Sequence, residues 1–213
     1  RVGAMEQVDI TIIGAGLSGL AAALTLAEGG ARVRVLCGGT RVGGRVRTDR
    51  LETDDGVFLL DRGFQVYLTA YHEASAALDT QALDLRSFYP GSLVRLGASF
   101  HRVADPFRRP IDAAKLFTSP IASLADKARL GLLDQRIKRS SIKDIWQRPE
   151  TTTLAMLRDA GFGDKAIERF FRPFFGGVFF DRSLETSSRM FEFTYRNFAT
   201  GETALPASGM GAI

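Results

Sequence analysis

Val8-Asp9-Ile10-Thr11-Ile12-Ile13-Gly14-Ala15-Gly16-Leu17-Ser18-Gly19-Leu20 is the stretch on which the fold of this chain turns. A short β-branched run that stops at a glycine reads as a buried strand. Leu20–Glu28 is rich in Ala and Leu and is closed by Gly29-Gly30, the pattern of a helix with a glycine stop. Ala31–Cys37 then alternates as a second strand. Strand, glycine turn, helix, strand is the opening of a dinucleotide-binding unit. Gly14 permits the tight turn, Gly16 leaves no side chain in the way of a pyrophosphate, and Gly19 lets helix and strand pack closely. With Ala15, Leu17 and Ser18 between them, these residues bring the backbone N–H groups of a helix start to a phosphate. The competing reading is a glycine turn that serves packing alone.

One position departs from the pattern. An acid that holds the adenosine ribose belongs about 20 residues past the glycines, at the end of the second strand. Here that place reads Val35-Leu36-Cys37-Gly38. A thiol is a poor hydrogen-bond acceptor and cannot replace a carboxylate there. Further on, Arg41-Val42-Gly43-Gly44-Arg45-Val46-Arg47-Thr48 offers a second glycine pair between arginines, which combines close backbone approach with positive charge. Its alternative is a surface hairpin with solvated arginines. Gly56–Val66 reads as a strand that ends in a turn at Gly63.

The 213 residues suit one large domain or a domain with an insertion, and 45% apolar with 24% charged residues excludes a disordered tail, a collagen-like fibre and a disulfide scaffold. A net charge of +4, interrupted by acids almost everywhere, does not suit a nucleic-acid binder. One Cys and two His argue against a disulfide or a metal centre and fit a reducing, cytoplasmic setting. No signal peptide is read in Arg1–Ala4, and Val8–Ile13 is too short to span a bilayer. Gly211-Ala212-Ile213 falls in what reads as a new element, so the chain is expected to be a piece of a longer protein.

The middle of the chain reads mostly as helices: Thr69–Asp79 opened by Thr69, then Asp112–Thr118, Ser123–Arg139, Thr153–Ala160, Asp164–Phe171 and Ser188–Phe198. Ser123-Leu124-Ala125-Asp126 resembles a capping box, and a hairpin is expected over Ser92–Leu96 and Phe100–Val103 around Gly97. Asp105-Pro106 and Arg109-Pro110 close that section. Arg129, Arg136, Lys138, Arg139, Lys143 and Arg148 form a basic stretch whose simplest reading is a solvated helix face. The alternative is peripheral contact with an anionic membrane surface or a partner. Phe170–Phe180 holds six of the 16 Phe. It reads as a core joint, with a helix ending at Pro173 and a turn at Gly176-Gly177, or as the wall of an apolar substrate tunnel.

The strand–GAGLSGL–helix followed by VRVL and RVGGRVRT resembles the flavin-containing amine oxidase and phytoene desaturase superfamily. Ala204–Gly211 resembles that family's proline-glycine-methionine turn, with Ser208 where the family usually has Gly. The resemblance implies FAD as cofactor and an α/β fold, in which an incomplete Rossmann-like FAD-binding domain carries an inserted, largely helical α+β substrate or cap domain. The expected bounds are 5–70 for the first part of the FAD domain, 71–203 for the cap and 204–213 for the return. By the same resemblance Arg41, Gly43, Gly44 and Arg45 line the FAD diphosphate and approach the flavin, and Gly63, Phe64 and Gln65 neighbour the ring. It implies hydride transfer from a C–N or C–C bond of a small organic substrate to flavin. A non-catalytic FAD-binding remnant and a sugar-mutase-type isomerase are the alternatives. No catalytic side chain is assigned: the lysine that amine oxidases often carry near the flavin falls outside the portion represented here, and His72 and His101 read as surface or core residues. Replacing Cys37 by Glu is expected to tighten dinucleotide binding in a fluorescence titration; unchanged or weaker binding would contradict the reading of that position.

Overall fold

A computed structural model of the protein describes residues 7–104 and 119–213. The expected helix at Asp112–Thr118 and the two proline breaks before it lie outside the described residues. The chain packs as two units, the first from residues 7–67, 71–87 and 204–213, the second from 68–70 and 88–203.

In the first unit β1 (Ile10–Ile13) pairs in parallel with β2 (Val33–Leu36), Ile10 opposite Val33 and Ile13 opposite Leu36, and α1 (Leu17–Glu28) makes the crossover that parallel pairing requires. The helix ends where sequence predicts, at Gly29 and Gly30, the latter with φ +86°. β1 is not the buried strand that its β-branched run predicts: Ile13 is 88% exposed, and α1 buries no residue fully. Among the described residues its sheet has two strands, too few to cover both faces. β3 (Thr48–Thr53) and β4 (Gly56–Asp61) form a hairpin. The core of this unit is small, with Val46, Tyr67 and Met210 buried against Leu78, Leu85 and Leu205.

Two elements differ from expectation. The helix read over Thr69–Asp79 is the shorter α2 (His72–Ala77); the Thr69 hydroxyl accepts a hydrogen bond from the Glu202 N–H instead of capping it. After the two-residue β5 (Tyr67–Leu68) and α2 comes β6 (Leu85–Ser87), which pairs antiparallel with residues 204–206. Residues 71–87 therefore pack with the first unit, not with the cap read over 71–203.

The second unit opens with the expected hairpin, β7 (Gly91–Leu96) and β8 (Ser99–Ala104), turning at Gly97 with φ +61°. Then come α3 (Leu124–Arg139), α4 (Ile142–Gln147), α5 (Thr153–Asp159) and α6 (Asp164–Ala166). A π-helical turn, Ile167–Phe171, leads into α7 (Arg172–Phe179), and α8 (Ser188–Thr200) follows. β9 (Thr203–Pro206) and a 3₁₀ turn at Met210–Ala212 end the chain. Capping boxes open both α3, through Ser123 and Asp126, and α4, through Ser141 and Asp144. The second box carries the same Ser-x-x-acid signal, which the basic character of the stretch obscured.

The phenylalanine cluster is where local reading fails. Pro173 does not end a helix and Gly176-Gly177 is not a turn: both lie within α7. Proline is tolerated in the first turn of a helical segment, and the π turn before it changes the hydrogen-bond register at that point. Gly176 permits close approach, since a Cβ there would sit 3.3 Å from the Cα of Arg182. The actual stop is Phe180, left-handed at φ +55° and 97% exposed. Phe171, Phe175 and Phe191 are buried among Leu133, Ile137, Leu157 and Leu184, with Phe175 and Phe191 rings 4.5 Å apart. The cluster is a core; its rings pack on one another and do not line a tunnel.

The basic stretch is largely consumed inside this unit. Arg129 pairs with Asp126 and Lys138 with Asp134, while Arg136 and Arg148 both reach the buried carboxylate of Glu192. Substituting Phe191 by Ala should cost about 3–5 kcal/mol in urea unfolding. Phe180→Gly should leave stability unchanged or raise it by up to about 1 kcal/mol, because it removes a left-handed aromatic and no packing. Equal losses at the two positions would contradict this division of the cluster.

Candidate cofactor site

The glycine turn between β1 and α1 is built as its residue types require. Gly14 has φ +105° and its N–H donates to the Leu36 carbonyl at 2.7 Å, which ties the turn to the end of β2. A Cβ on Gly19 would lie 1.9 Å from the Gly14 carbonyl oxygen, so helix and turn meet at a distance only glycine allows. Gly14 and Gly16 face open space: nothing lies within 4 Å of where their Cβ atoms would stand. Gly16 is the N-cap of α1 and supplies no capping side chain, and no acid occupies the first turn. The first N–H groups of α1 thus have neither a capping side chain nor a local carboxylate, the condition for accepting an external anion.

The second glycine motif is seated directly on the first. The Gly43 N–H donates to the Ala15 carbonyl at 2.7 Å, and Gly16 and Gly43 form a parallel bridge. Gly43 and Gly44 both have positive φ, +101° and +60°, and a Cβ on Gly44 would stand 3.1 Å from the Gly16 Cα. Ala15, under this contact, is buried. Leu17 and Ser18 are exposed on the first turn of α1. Arg45 is brought beside Gly63, where a Cβ would meet the Arg45 carbonyl oxygen at 2.7 Å. Phe64 and Gln65, which follow Gly63, are exposed. Cys37 is exposed, with its Sγ donating to the Arg41 carbonyl at 3.5 Å.

Beside these turns a hollow of about 680 Å³ is lined by Arg41, Arg47, Thr48, Asp49, Arg62 and Ser208, among others, and by none of Gly14–Gly19. Three arginines face one acid. Asp49 takes a hydrogen bond from Arg62 Nε at 2.5 Å, which holds its carboxyl below the ordinary aspartate range and raises the guanidinium in turn. Thr48 Oγ1 donates to Asp61, whose carboxylate also accepts the Met210 N–H at 2.9 Å, and Thr48 in turn accepts from the Gly211 N–H at 2.8 Å. That network fixes the 208–212 turn against β3. Arg47, from the second glycine motif, lines the hollow; Arg62 and Asp49 face it through hairpin geometry that local sequence does not announce. Among the described residues no group of three or more His, Cys, Asp or Glu could hold a metal ion, and no helix is long and apolar enough to cross a membrane.

The profile of a family described as flavin containing amine oxidoreductase matches residues 17–213. Protoporphyrinogen oxidase 2 of Arabidopsis thaliana is 26% identical over 84% of this chain and 34% of its own length. A flavin-dependent L-tryptophan oxidase of Lentzea aerocolonigenes is 30% identical over 62% of this chain and 27% of its own. The chain thus spans about a third or less of these relatives. Among solved structures, a putrescine oxidase bound to putrescine superposes with a TM-score of 0.62 at 19% identity, over 97% of this chain and 47% of that one. An oxidoreductase from Methanosarcina mazei gives 0.64 at 21%, over 94% and 46%. These likenesses establish a mixed helix-and-sheet flavoprotein fold.

The two kinds of glycine predict different failures. Gly19→Ala must push the Gly14 carbonyl aside, so it should lower stability by about 1–3 kcal/mol and weaken nucleotide binding with it. Gly16→Val should melt like the wild type yet bind FAD far more weakly. A Gly16→Val protein that binds FAD normally would remove this turn from the site.

Proposed function

The chain belongs to the flavin containing amine oxidoreductase family, and from that premise we propose that it is the amino-terminal portion of an FAD-dependent oxidoreductase. Its reaction is the oxidation of a C–N or C–C bond in a small organic molecule. FAD is the cofactor of this family. The residues present fit it: two glycines with open space where side chains would stand, an uncapped helix start, and arginines in excess over acid nearby. The observation that carries the reading is the seating of Gly43 and Gly44 on Ala15 and Gly16. It joins two phosphate-approach motifs from separate parts of the chain into one surface.

In this reading the β1–α1–β2 unit is the first part of a Rossmann-type domain, and the second, largely helical unit is its substrate or cap domain. The backbone N–H groups at the start of α1 hold the diphosphate. Arg41 and Arg45 supply positive charge to it, and Gly43 and Gly44 allow the cofactor close to the main chain. Gly63, Phe64 and Gln65 would neighbour the flavin ring. Bound FAD supplies the electron acceptor for the substrate's hydride equivalent. The protein's part is to hold, orient and exclude water. A preference for apolar substrates rested on the phenylalanine cluster, and that cluster packs into the core of the second unit. The substrate class therefore stays at an organic molecule with an oxidisable C–N or C–C bond.

Purified chain should take up FAD in equilibrium dialysis and show a visible flavin spectrum bleached by dithionite. With the complete reading frame, bleaching by amines or polyenes under nitrogen should identify the substrate class. A colourless protein after FAD addition would overturn the proposal.

A further inference from the structure

We infer that Thr48 and Asp61 are positioning residues of the cofactor site, a cross-strand pair that sets two walls of the hollow beside the glycine turns. The reading of this site as the place of FAD is the premise. What is added to it is the pair of side chains on which the shape of the hollow depends.

Thr48 and Asp61 stand opposite each other at the open end of the β3–β4 hairpin. Their outer neighbours, Arg47 and Arg62, are tied by a 2.8 Å hydrogen bond from the Arg62 N–H to the Arg47 carbonyl, and both line the hollow. Ser208, Gly211 and Ala212 line it as well, and they come from the turn that follows β9. The side chains of the pair hold that turn by its backbone. Asp61 accepts the Met210 N–H at 2.9 Å, and the Thr48 hydroxyl accepts the Gly211 N–H at 2.8 Å while donating to Asp61. Met210 and Gly211 open the 3₁₀ turn, so their N–H groups have no acceptor within it, and its N-cap, Gly209, supplies no capping side chain. The pair therefore does from the hairpin what a capping residue does locally. Contact between them is close: a Cβ on Gly209 would stand 2.5 Å from Thr48 Oγ1 and 2.9 Å from Asp61 Oδ1, and one on Gly211 2.8 Å from the Thr48 nitrogen. Met210, between those glycines, is buried against Val46 and Tyr67. One rung of the hairpin thus fixes two arginines and the 208–212 turn around the same space. Removing the Thr48 hydroxyl releases a segment that faces the hollow, and a ligand there must then order it on binding, at a cost in affinity.

The test is the Kd for FAD, followed by flavin fluorescence, with urea unfolding of each variant alongside. Thr48→Val keeps the shape of the side chain and loses its hydroxyl; it should bind FAD roughly tenfold more weakly. Thr48→Ser restores the hydroxyl and should bind as the wild type does. Gly211→Ala leaves both side chains of the pair intact, pushes the turn off them, and should weaken binding as Thr48→Val does. A purely structural role raises the apparent Kd only by the reciprocal of the folded fraction, so a tenfold change in a variant that remains folded belongs to the site. If the wild type binds FAD and the folded Thr48→Val and Gly211→Ala proteins bind it equally tightly, the inference falls and the cofactor reading stands. A loss that Thr48→Ser does not restore, or that the folded fraction accounts for, overturns it as well. A wild-type chain that binds no FAD overturns the cofactor reading and takes this inference with it.

Discussion

Everything proposed for the first unit depends on one steric constraint, the contact of two glycine-bearing loops without any side chain between them. Gly19 meets the Gly14 carbonyl where a methyl group has no room, and Gly44 lies over the Gly16 Cα. A 2.7 Å hydrogen bond from Gly43 to the Ala15 carbonyl locks the second loop onto the first. The main chain of both loops then faces the same space. Neither loop alone makes a site, because a glycine turn serves packing as readily as phosphate binding. Their seating brings the two motifs together beside the uncapped start of α1, the arrangement from which the proposed diphosphate site is argued.

The second unit is organised by opposite means, with bulk where the first has vacancy. Phe171, Phe175 and Phe191 are buried in a single cluster, and the polypeptide reaches them through an uninterrupted succession of α6, a π turn and α7. The π turn shifts the ladder register ahead of Pro173, so a residue that usually stops a helix sits in a first turn. Charge is handled with similar economy. Glu192 is 3% exposed and receives Arg136 from α3 and Arg148 from the C-cap of α4. A buried carboxylate is tolerated when such partners satisfy it and is costly when they are removed. That accounts for the part of the basic run that turns inward, while Arg139 and Lys143 are exposed.

Much of this was legible in the residues. The strand–turn–helix–strand order, the hairpin at Gly97, the capping box at Ser123 and the glycine stop of α1 all depend on neighbours a few residues apart. Failures fall where the deciding partner is distant in sequence. Thr69 reads as a helix cap, but its hydroxyl is taken by Glu202, 133 residues away. Residues 71–87 read as cap domain until β6 finds its partner in residues 204–206. Gly176-Gly177 reads as a turn because the close approach of Arg182 is invisible along the chain.

The sequence by itself determined the chemistry on offer: glycines in the spacing that lets backbone approach a diphosphate, arginines beside them, and a thiol where an acid is expected. These are properties of residue types at fixed offsets, set by φ, side-chain volume and charge. Only the tertiary structure decided which of them meet. It put Gly43 on Ala15 and set Arg47 beside Cys37. It also buried the phenylalanines in a core. Each of those outcomes is a balance of packing and hydrogen bonding between segments that local propensity does not relate.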